Sequence, residues 1–538
     1  MKRMLAIALA ALLVFGLTAC GGTIEKADTP VASAATGAAG ETAQTKQVVG
    51  VSMGATTMDP AHEYEWDAEM MLHSVYPTLV TSDYADESKI LPCVASKWVI
   101  SDDGLTYTFT LNQGIKFTTG KELKASDVAF SLNRLKGAAG NPSFLLSSVE
   151  SVEATGDYEV TVTLSEPNPA LLNILTRASA GLYDAEAAQA NGATCDSSDA
   201  GQAYFDSTSI GCGPYKISSF NSGSELVLVK NPDSYFPAGN VDTYIIRNIA
   251  DSATQQMELE GGDLDFALDL TADQTALLEG NESIKLVSFD TMDIFFLGLN
   301  ASEEYGKELA NPTVREAIRY AIDYPGLCAL AGNGATTPAG IIPKGFLGYA
   351  GETTITRDVE KAKALLTEAG YPDGITFSMG VIPDMAPDGV SFMTLAQKVQ
   401  ADLAEAGITV NIEPQEVAVY LEGYRDGKQQ SVMCHWGPDY NDSNNQLAFL
   451  PGNTVGLRLG WTADMDPELA ELGQKASVET DSDKRAELFT EIQKQMDEKN
   501  APAVVLLQPG KTWAVSSRLK NLTVSAAFSF DFVSLDVQ

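Results

Sequence analysis

The run Cys434-His435-Trp436-Gly437-Pro438-Asp439-Tyr440-Asn441-Asp442 gathers an imidazole, two aromatic rings and two carboxylates around one Gly-Pro step. Aromatic faces beside a carboxylate suit a cationic head group: the acid pairs with the charge and the rings pack alongside it. A carboxylate withdrawn from water is costly until a cation arrives, so such a loop rewards a charged amine over a neutral solute. An acid of this loop is the expected ion-pair partner, with His435, Trp436 and Tyr440 as its neighbours. The plainer roles for the same residues are a turn cap for Asp439 and core filling for Trp436. His435 is not expected to hold a metal. The chain has only three histidines, His62, His73 and His435, and none has a second ligand at useful spacing. No metal and no cofactor are expected.

Two further motifs have the look of catalysis. Gly50-Val51-Ser52-Met53-Gly54 fits the G-x-S-x-G pattern of a serine hydrolase. That turn must pass straight into a helix, yet Ser52 is followed by Ala-Thr-Thr-Met-Asp-Pro, which reads as loop. Gly510-Lys511-Thr512 has the end of a phosphate loop, but the required upstream glycine falls on Val505. The chain is therefore read as a binding protein and not an enzyme, drawing any energy from a partner.

The elements that must carry these residues show in the periodicity. Over Lys97–Leu135 a Trp and an Asp102-Asp103-Gly104 turn precede a strand with Leu105, Tyr107, Phe109 and Leu111 on one face. A helix follows, with Ser126 as the expected N-cap and Val128, Leu132 and Leu135 on its inner side. Val149 to Leu164 reads as a strand pair about a Gly156-Asp157 turn. Strands are expected at Val48–Val51, Glu225–Val229, Asp242–Ile249 and Asp263–Leu268, with a helix near Ala253–Glu260. From Asn311 the pattern becomes helix, glycine, strand: Pro312 opens one helix, Gly370 and Gly407 stop two more, and the second stop leads into Ile408–Ile412. Leu488, Phe489, Ile492 and Met496 mark a last long helix. That succession indicates a mixed α/β lobe.

A chain of 538 residues is too long for one core and should divide into about three domains. Its formal charge of −37 argues against nucleic acid, which needs a basic face. The start, MKRMLAIALAALLVFGLTAC, has the positive n-region and short apolar core of a signal peptide. Leu17-Thr18-Ala19-Cys20 resembles a bacterial lipobox, which implies lipid on Cys20. Gly21 to Gln47 cannot bury a core and reads as a tether reaching roughly 25–30 Å. With Cys20 lipidated, five cysteines remain, an odd number. Cys195 and Cys212 close a short loop and are the expected disulfide.

The order of elements in Lys97–Leu135, together with Ile210–Ile217 (IGCGPYKI), resembles the peptide- and nickel-type substrate-binding proteins of ABC importers, solute-binding protein family 5. The resemblance implies an α/β, bilobed periplasmic-binding-protein-like fold (class II, cluster C type). Two hinge strands, near Phe296–Asn300 and Val504–Gln508, would join the lobes. The implied division is a signal peptide over 1–19, lipidated cysteine and tether over 20–47, and a first-lobe core over 48–80, 209–298 and 505–538. An extra domain would cover 81–208 and a second lobe 299–504. The loop holding Met58-Asp59-Pro60 and Tyr64 would form one cleft wall. Asp439 would take the ammonium of a peptide, and the partners would be the peptide, a membrane permease with its ATPase subunits, and the membrane through the lipid. The protein is expected to be an extracytoplasmic monomer. Dipeptide-specific members carry an Arg before the helix matching Val390–Ala406; this chain has VIPDMAPDGVSF there, with Asp384 and Asp388 and no Arg. That departure favours longer or basic peptides. A nickel chelate or a sensed signalling peptide stands as the other cargo.

Overall fold

The computed structural model describes residues 45–84, 86–526, 529–530 and 532–538. Cys20 and most of the expected tether lie outside these residues. The described chain is built on three main sheets, each with its own core.

The first sheet has seven strands in the order Ile284–Asp290, Gly510–Ser516, Phe266–Ala267, Lys46–Val51, Thr243–Asn248, Glu225–Lys230 and Tyr215–Asn221. Lys46 and Gln47 already pair in parallel with Thr243 and Tyr244, so the ordered fold begins before the expected tether end at 47. Phe266–Ala267 is shorter than the strand expected over 263–268; beside it the Asp265 N–H donates to the Val48 carbonyl at 2.8 Å while the Asp265 carboxylate accepts the Val48 N–H at 2.9 Å.

The second sheet, in the order Ile408–Pro414, Ile375–Val381, Ser431–Trp436, Ile294–Leu299 and Ala503–Leu507, is flanked by helices. The helix Pro312–Ala321 starts on the Asn311 cap and buries Val314, Ala317, Ile318 and Ala321 as its periodicity requires. Phe392–Glu405 ends at Gly407, whose φ of +83° lets the chain turn into Ile408–Pro414.

Between these two sheets the chain crosses at 291–293, ahead of the expected Phe296–Asn300, and at 508–509, at the end of the expected Val504–Gln508. Phe295, Leu297 and Leu299 are fully buried in the second-lobe core, so those strands belong to its sheet and not to a hinge. The crossings are tied together. Buried Gln508 donates to the Thr291 carbonyl at 2.6 Å, and the Thr291 hydroxyl donates to the Pro509 carbonyl at 2.8 Å.

The third sheet, Ala95–Ile100, Thr106–Leu111, Glu159–Leu164 and Val149–Gly156, holds the Lys97–Leu135 pattern. Tyr107, Phe109 and Leu111 point into its core with Val128, Leu132 and Leu135 of the helix Ala125–Gly137. Truncating fully buried Phe109 to alanine would cost about 3–5 kcal/mol. Ser126 is not the N-cap: the helix starts one residue earlier, and Asp127 accepts the Lys124 N–H at 3.0 Å.

The expected Cys195–Cys212 disulfide does not form. Cys195 is exposed with its thiol toward the Phe130 carbonyl, whereas Cys212 is fully buried in the third-sheet core. Burial, with the Cys93 thiol also near, pushes the Cys212 thiol well up.

Helix Ala125–Gly137 also pins the loop that runs from 52 to 65. Arg134, fully buried, donates to both oxygens of Asp59 at 2.8 and 2.6 Å and to Asp199 at 2.7 and 2.8 Å. Its guanidinium lies 4.6 Å over the Phe205 ring. Asp59, His62 and Asp199 are close enough together to suggest a metal site. Every carboxylate oxygen of both acids accepts from Arg134, and Asp59 also accepts from the Ala61 N–H, so the cluster is an ion-pair lock.

Candidate functional site

Strand alternation sorts the residues leading into the Asp439 loop. Along Ser431–Trp436, Met433 and His435 face one core of the second lobe while Cys434 and Trp436 face the other. His435 lies between the rings of Phe295 and Phe392 at 5.9 and 5.8 Å. Burial depresses its pKa, and the nearby Asp388 charge opposes this only in part, so the imidazole is neutral. Trp436 packs edge-on against Phe449 at 5.7 Å.

The loop then leaves the sheet and reaches the first lobe. Tyr64 Oη donates to Asp439 Oδ1, and Asn445 Nδ2 donates to Asp439 Oδ2 at 2.9 Å. Asn441 donates to Glu87 at 2.8 Å and Asn173 donates to Asp442 at 3.3 Å. The Tyr440 ring rests on the third-sheet core. Asp442 is clamped by buried Arg485, with Nη1 at 2.9 Å from Oδ2, and caps the 3₁₀ turn Ser443–Phe449. Burial raises the pKa of Asp439, and the Asn445 amide acts against that rise.

Asp439 stands where two inter-lobe cavities meet, one of about 700 Å³ and one of about 600 Å³. The larger is lined by six acids, Glu65, Asp67, Asp269, Asp293, Asp388 and Asp439, against Arg177 and Lys511. Both cations are engaged. Arg177 lies 3.3 Å from Glu69, and Lys511 is 3.5 Å from Asp388, 3.9 Å from Asp269 and 4.6 Å over the Trp66 ring. The cavity thus favours positive charge. Tyr64, also lining this cavity, packs edge-to-face on Phe144 with ring centroids 5.8 Å apart.

The sequence itself decides the family. It matches the bacterial extracellular solute-binding proteins, family 5 Middle, over residues 89–456, more than half the chain. The chain belongs to family 5 of the bacterial extracellular solute-binding proteins. Such proteins are extracytoplasmic components of ABC importers, which take a small solute and work with membrane permease subunits. It is 28 % identical over 514 residues to the glutathione-binding protein GsiB of Salmonella paratyphi A, covering 91 % of this chain and 94 % of that one. The solved structure of HbpA2 from Haemophilus parasuis superposes with a TM-score of 0.79 at 25 % identity, over 92 % of this chain and all of that one. DppA from Helicobacter pylori, in complex with peptide STSA, gives 0.73 at 26 %, over 92 % and 98 %. The bilobed family 5 fold carries the architecture described above.

Within this family 5 chain the structure brings Tyr64, His435, Trp436, Asp439 and Tyr440 to one junction of the lobes. Ser52 is not arranged as a nucleophile: its N–H donates to Asp269 at 2.6 Å, and no helix begins until Trp66. Asp388 reaches the cavity while Asp384 is exposed. Sequence reasoning missed Trp66, Asp269, Asp293 and Asn445. It dismissed Lys511 as a failed phosphate loop, although it is a cleft residue.

Asp293 lies beside Asp388 next to the loop; its Oδ1 is 2.9 Å from where a Cβ on Gly437 would stand. Burial, the Asp388 charge and a hydrogen bond shared with Asp388 push the Asp293 carboxyl well up. An acid whose folded pKa is raised contributes stability at low pH that is lost as pH rises through that pKa. Asp293→Asn cannot suffer this loss and offers an N–H to Asp388. Its melting temperature should exceed the wild type's by about 1–3 °C at pH 8, with a smaller gain at pH 5, in scanning calorimetry.

Proposed function

We propose that this family 5 protein captures solutes bearing a free ammonium group, peptides foremost, between its lobes and passes them to an ABC permease. The observation that carries this reading is Asp439: a partly buried carboxylate at the junction of both lobes, opening on a cavity with three times as many acids as bases. A carboxylate in that position gains most from a protonated amine, and a charge-assisted hydrogen bond holds the amine in a fixed orientation. Tyr64 and Tyr440 would wall the amine in, His435 would offer a neutral imidazole at the cavity edge, and Trp436 would back the loop. The excess of acid favours basic peptides over dipeptides held by their carboxylate. The relative DppA, solved with a peptide, and the relative GsiB, a glutathione-binding protein, both support a peptide-like cargo. Lipid on Cys20 would anchor the protein outside the cell, where it acts as a monomer.

Calorimetric titration with the basic tripeptide Lys-Ala-Lys tests the reading. Blocking its α-amine by acetylation should weaken binding at least about tenfold, a loss of about 1.4 kcal/mol. Only ionised Asp439 attracts the ammonium, so affinity should be full at neutral pH. It should fall as pH drops through the raised Asp439 pKa, at a higher pH than an exposed aspartate near 3.9 would give. Equal affinity for the free and acetylated peptides would defeat the proposal.

A further inference from the structure

The environment of Asp439 contains a chain of hydrogen bonds with only one consistent direction. The Trp436 indole N–H donates to Asn445 Oδ1 at 2.9 Å, and Asn445 Nδ2 donates to Asp439 Oδ2 at 2.9 Å. An indole nitrogen can only donate, and an ionised carboxylate can only accept. The two neighbours therefore demand opposite ends of the same amide. Turning the Asn445 amide over would set N–H against N–H and oxygen against carboxylate, so both contacts would be lost together. Asn445 is 6 % exposed, and little water reaches it to satisfy a flipped amide. Both supports of the chain are rigid. Trp436 is wedged on Phe449, and the 3₁₀ turn carrying Asn445 starts at Asp442, which Arg485 holds by two contacts.

We infer that Trp436 and Asn445 form a positioning relay, in which the indole fixes the amide and the amide's N–H favours the charged carboxylate of Asp439 and turns its other oxygen toward Tyr64 and the cleft. Trp436 is then a residue that acts through another and need not stack on the solute. The inference rests on the reading of Asp439 as the ammonium partner. The Tyr64 hydroxyl reaches Asp439 from the first-lobe loop and Tyr440 is its neighbour in its own loop, while Glu65, Asp67, Asp269, Asp388, His435 and Lys511 line the same cavity. Arg177 and Glu166 stand across the two cavities, and Asp293 lies beside Gly437. Among these contacts the amide of Asn445 is the donor held in place from behind by a second fixed donor.

The test is a carbon-13 titration of protein labelled at aspartate Cγ, with the Asp439 signal identified by its loss in Asp439→Asn. Asn445→Leu should raise the Asp439 midpoint by about one pH unit, about 1.4 kcal/mol, because it removes a hydrogen bond made to the charged form. Trp436→Phe keeps the ring and removes the donor, and should raise the midpoint by less. Each variant should also lose Lys-Ala-Lys affinity more severely at pH 5 than at pH 8, a split that mere loosening of the loop does not produce. Midpoints unchanged from wild type in both variants would overturn the relay. If Asp439→Asn abolishes peptide binding while those midpoints stay fixed, the relay falls and the ammonium site stands. If Asp439→Asn binds Lys-Ala-Lys as wild type does, the ammonium site falls and the relay's role in binding falls with it.

Discussion

Asp439→Ala is expected to weaken Lys-Ala-Lys binding at least tenfold, with little change in fold stability. The carboxylate is the acceptor for Tyr64 and Asn445 and the acid placed at the junction of the two cavities. Truncating one partner of a desolvated charge pair costs about 2–5 kcal/mol, because the incoming ammonium is left buried without a counter-charge. The loss should appear as faster release of the peptide, since the approach to an acidic cavity still depends on the other carboxylates. In the empty protein the same change removes an acid whose charged form burial disfavours but leaves the Asn445 amide without its acceptor, so the two effects oppose and the melting temperature should stay near that of wild type. Calorimetric affinity within twofold of wild type would show that the ammonium is held elsewhere.

Arg134→Met should cost the most stability. It leaves Asp59 and Asp199 buried together with only His62 beside them, a penalty of about 3–5 kcal/mol. Burial works against charge on Asp59, and hydrogen bonds from His62 and Arg134 hold its carboxyl below the usual range. Without the arginine, burial would instead push the Asp59 carboxyl above its unfolded value. Its contribution would then be present at low pH and lost as pH rises, so the variant should be more stable at pH 5 than at pH 8. Because Asp59 anchors the loop that carries Tyr64, peptide affinity should fall as well. Urea unfolding followed by circular dichroism measures the first effect; a midpoint equal to wild type at pH 8 would contradict it.

The strands and helices were legible where periodicity and punctuation agree. Tyr107, Phe109 and Leu111 alternate into a core, and Asn311-Pro312, Gly370 and Gly407 mark helix boundaries that the structure keeps. The first lobe crossing was misplaced, and the second falls only at the end of its expected run, because Phe295 to Leu299 and Val504 to Leu507 are apolar runs, and a buried strand and a hinge strand read alike in sequence. Ser126 lost its cap role to Lys124 because Asp127 reaches back to the Lys124 N–H, a contact that residue type alone does not select. The Asp439 loop was visible because its residues are consecutive. Asn445 follows it closely but carries no signal until Trp436 and Asp439 are seen on either side of it. Trp66, Asp269, Asp293 and Lys511 come from distant segments that only the fold brings to one cavity. Lys511 shows the hazard of a motif fragment: Gly510-Lys511-Thr512 is a strand of the first sheet, and its lysine points into the cleft instead of toward a phosphate.

Native mass spectrometry of the protein as isolated from its cell envelope, followed by identification of the released solute, tests the ammonium site most directly. The account predicts a small peptide or peptide-like solute with a free amine on wild type, and its absence from Asp439→Asn prepared alongside. A bound solute without an amine, retained in equal amount by Asp439→Asn, would contradict it.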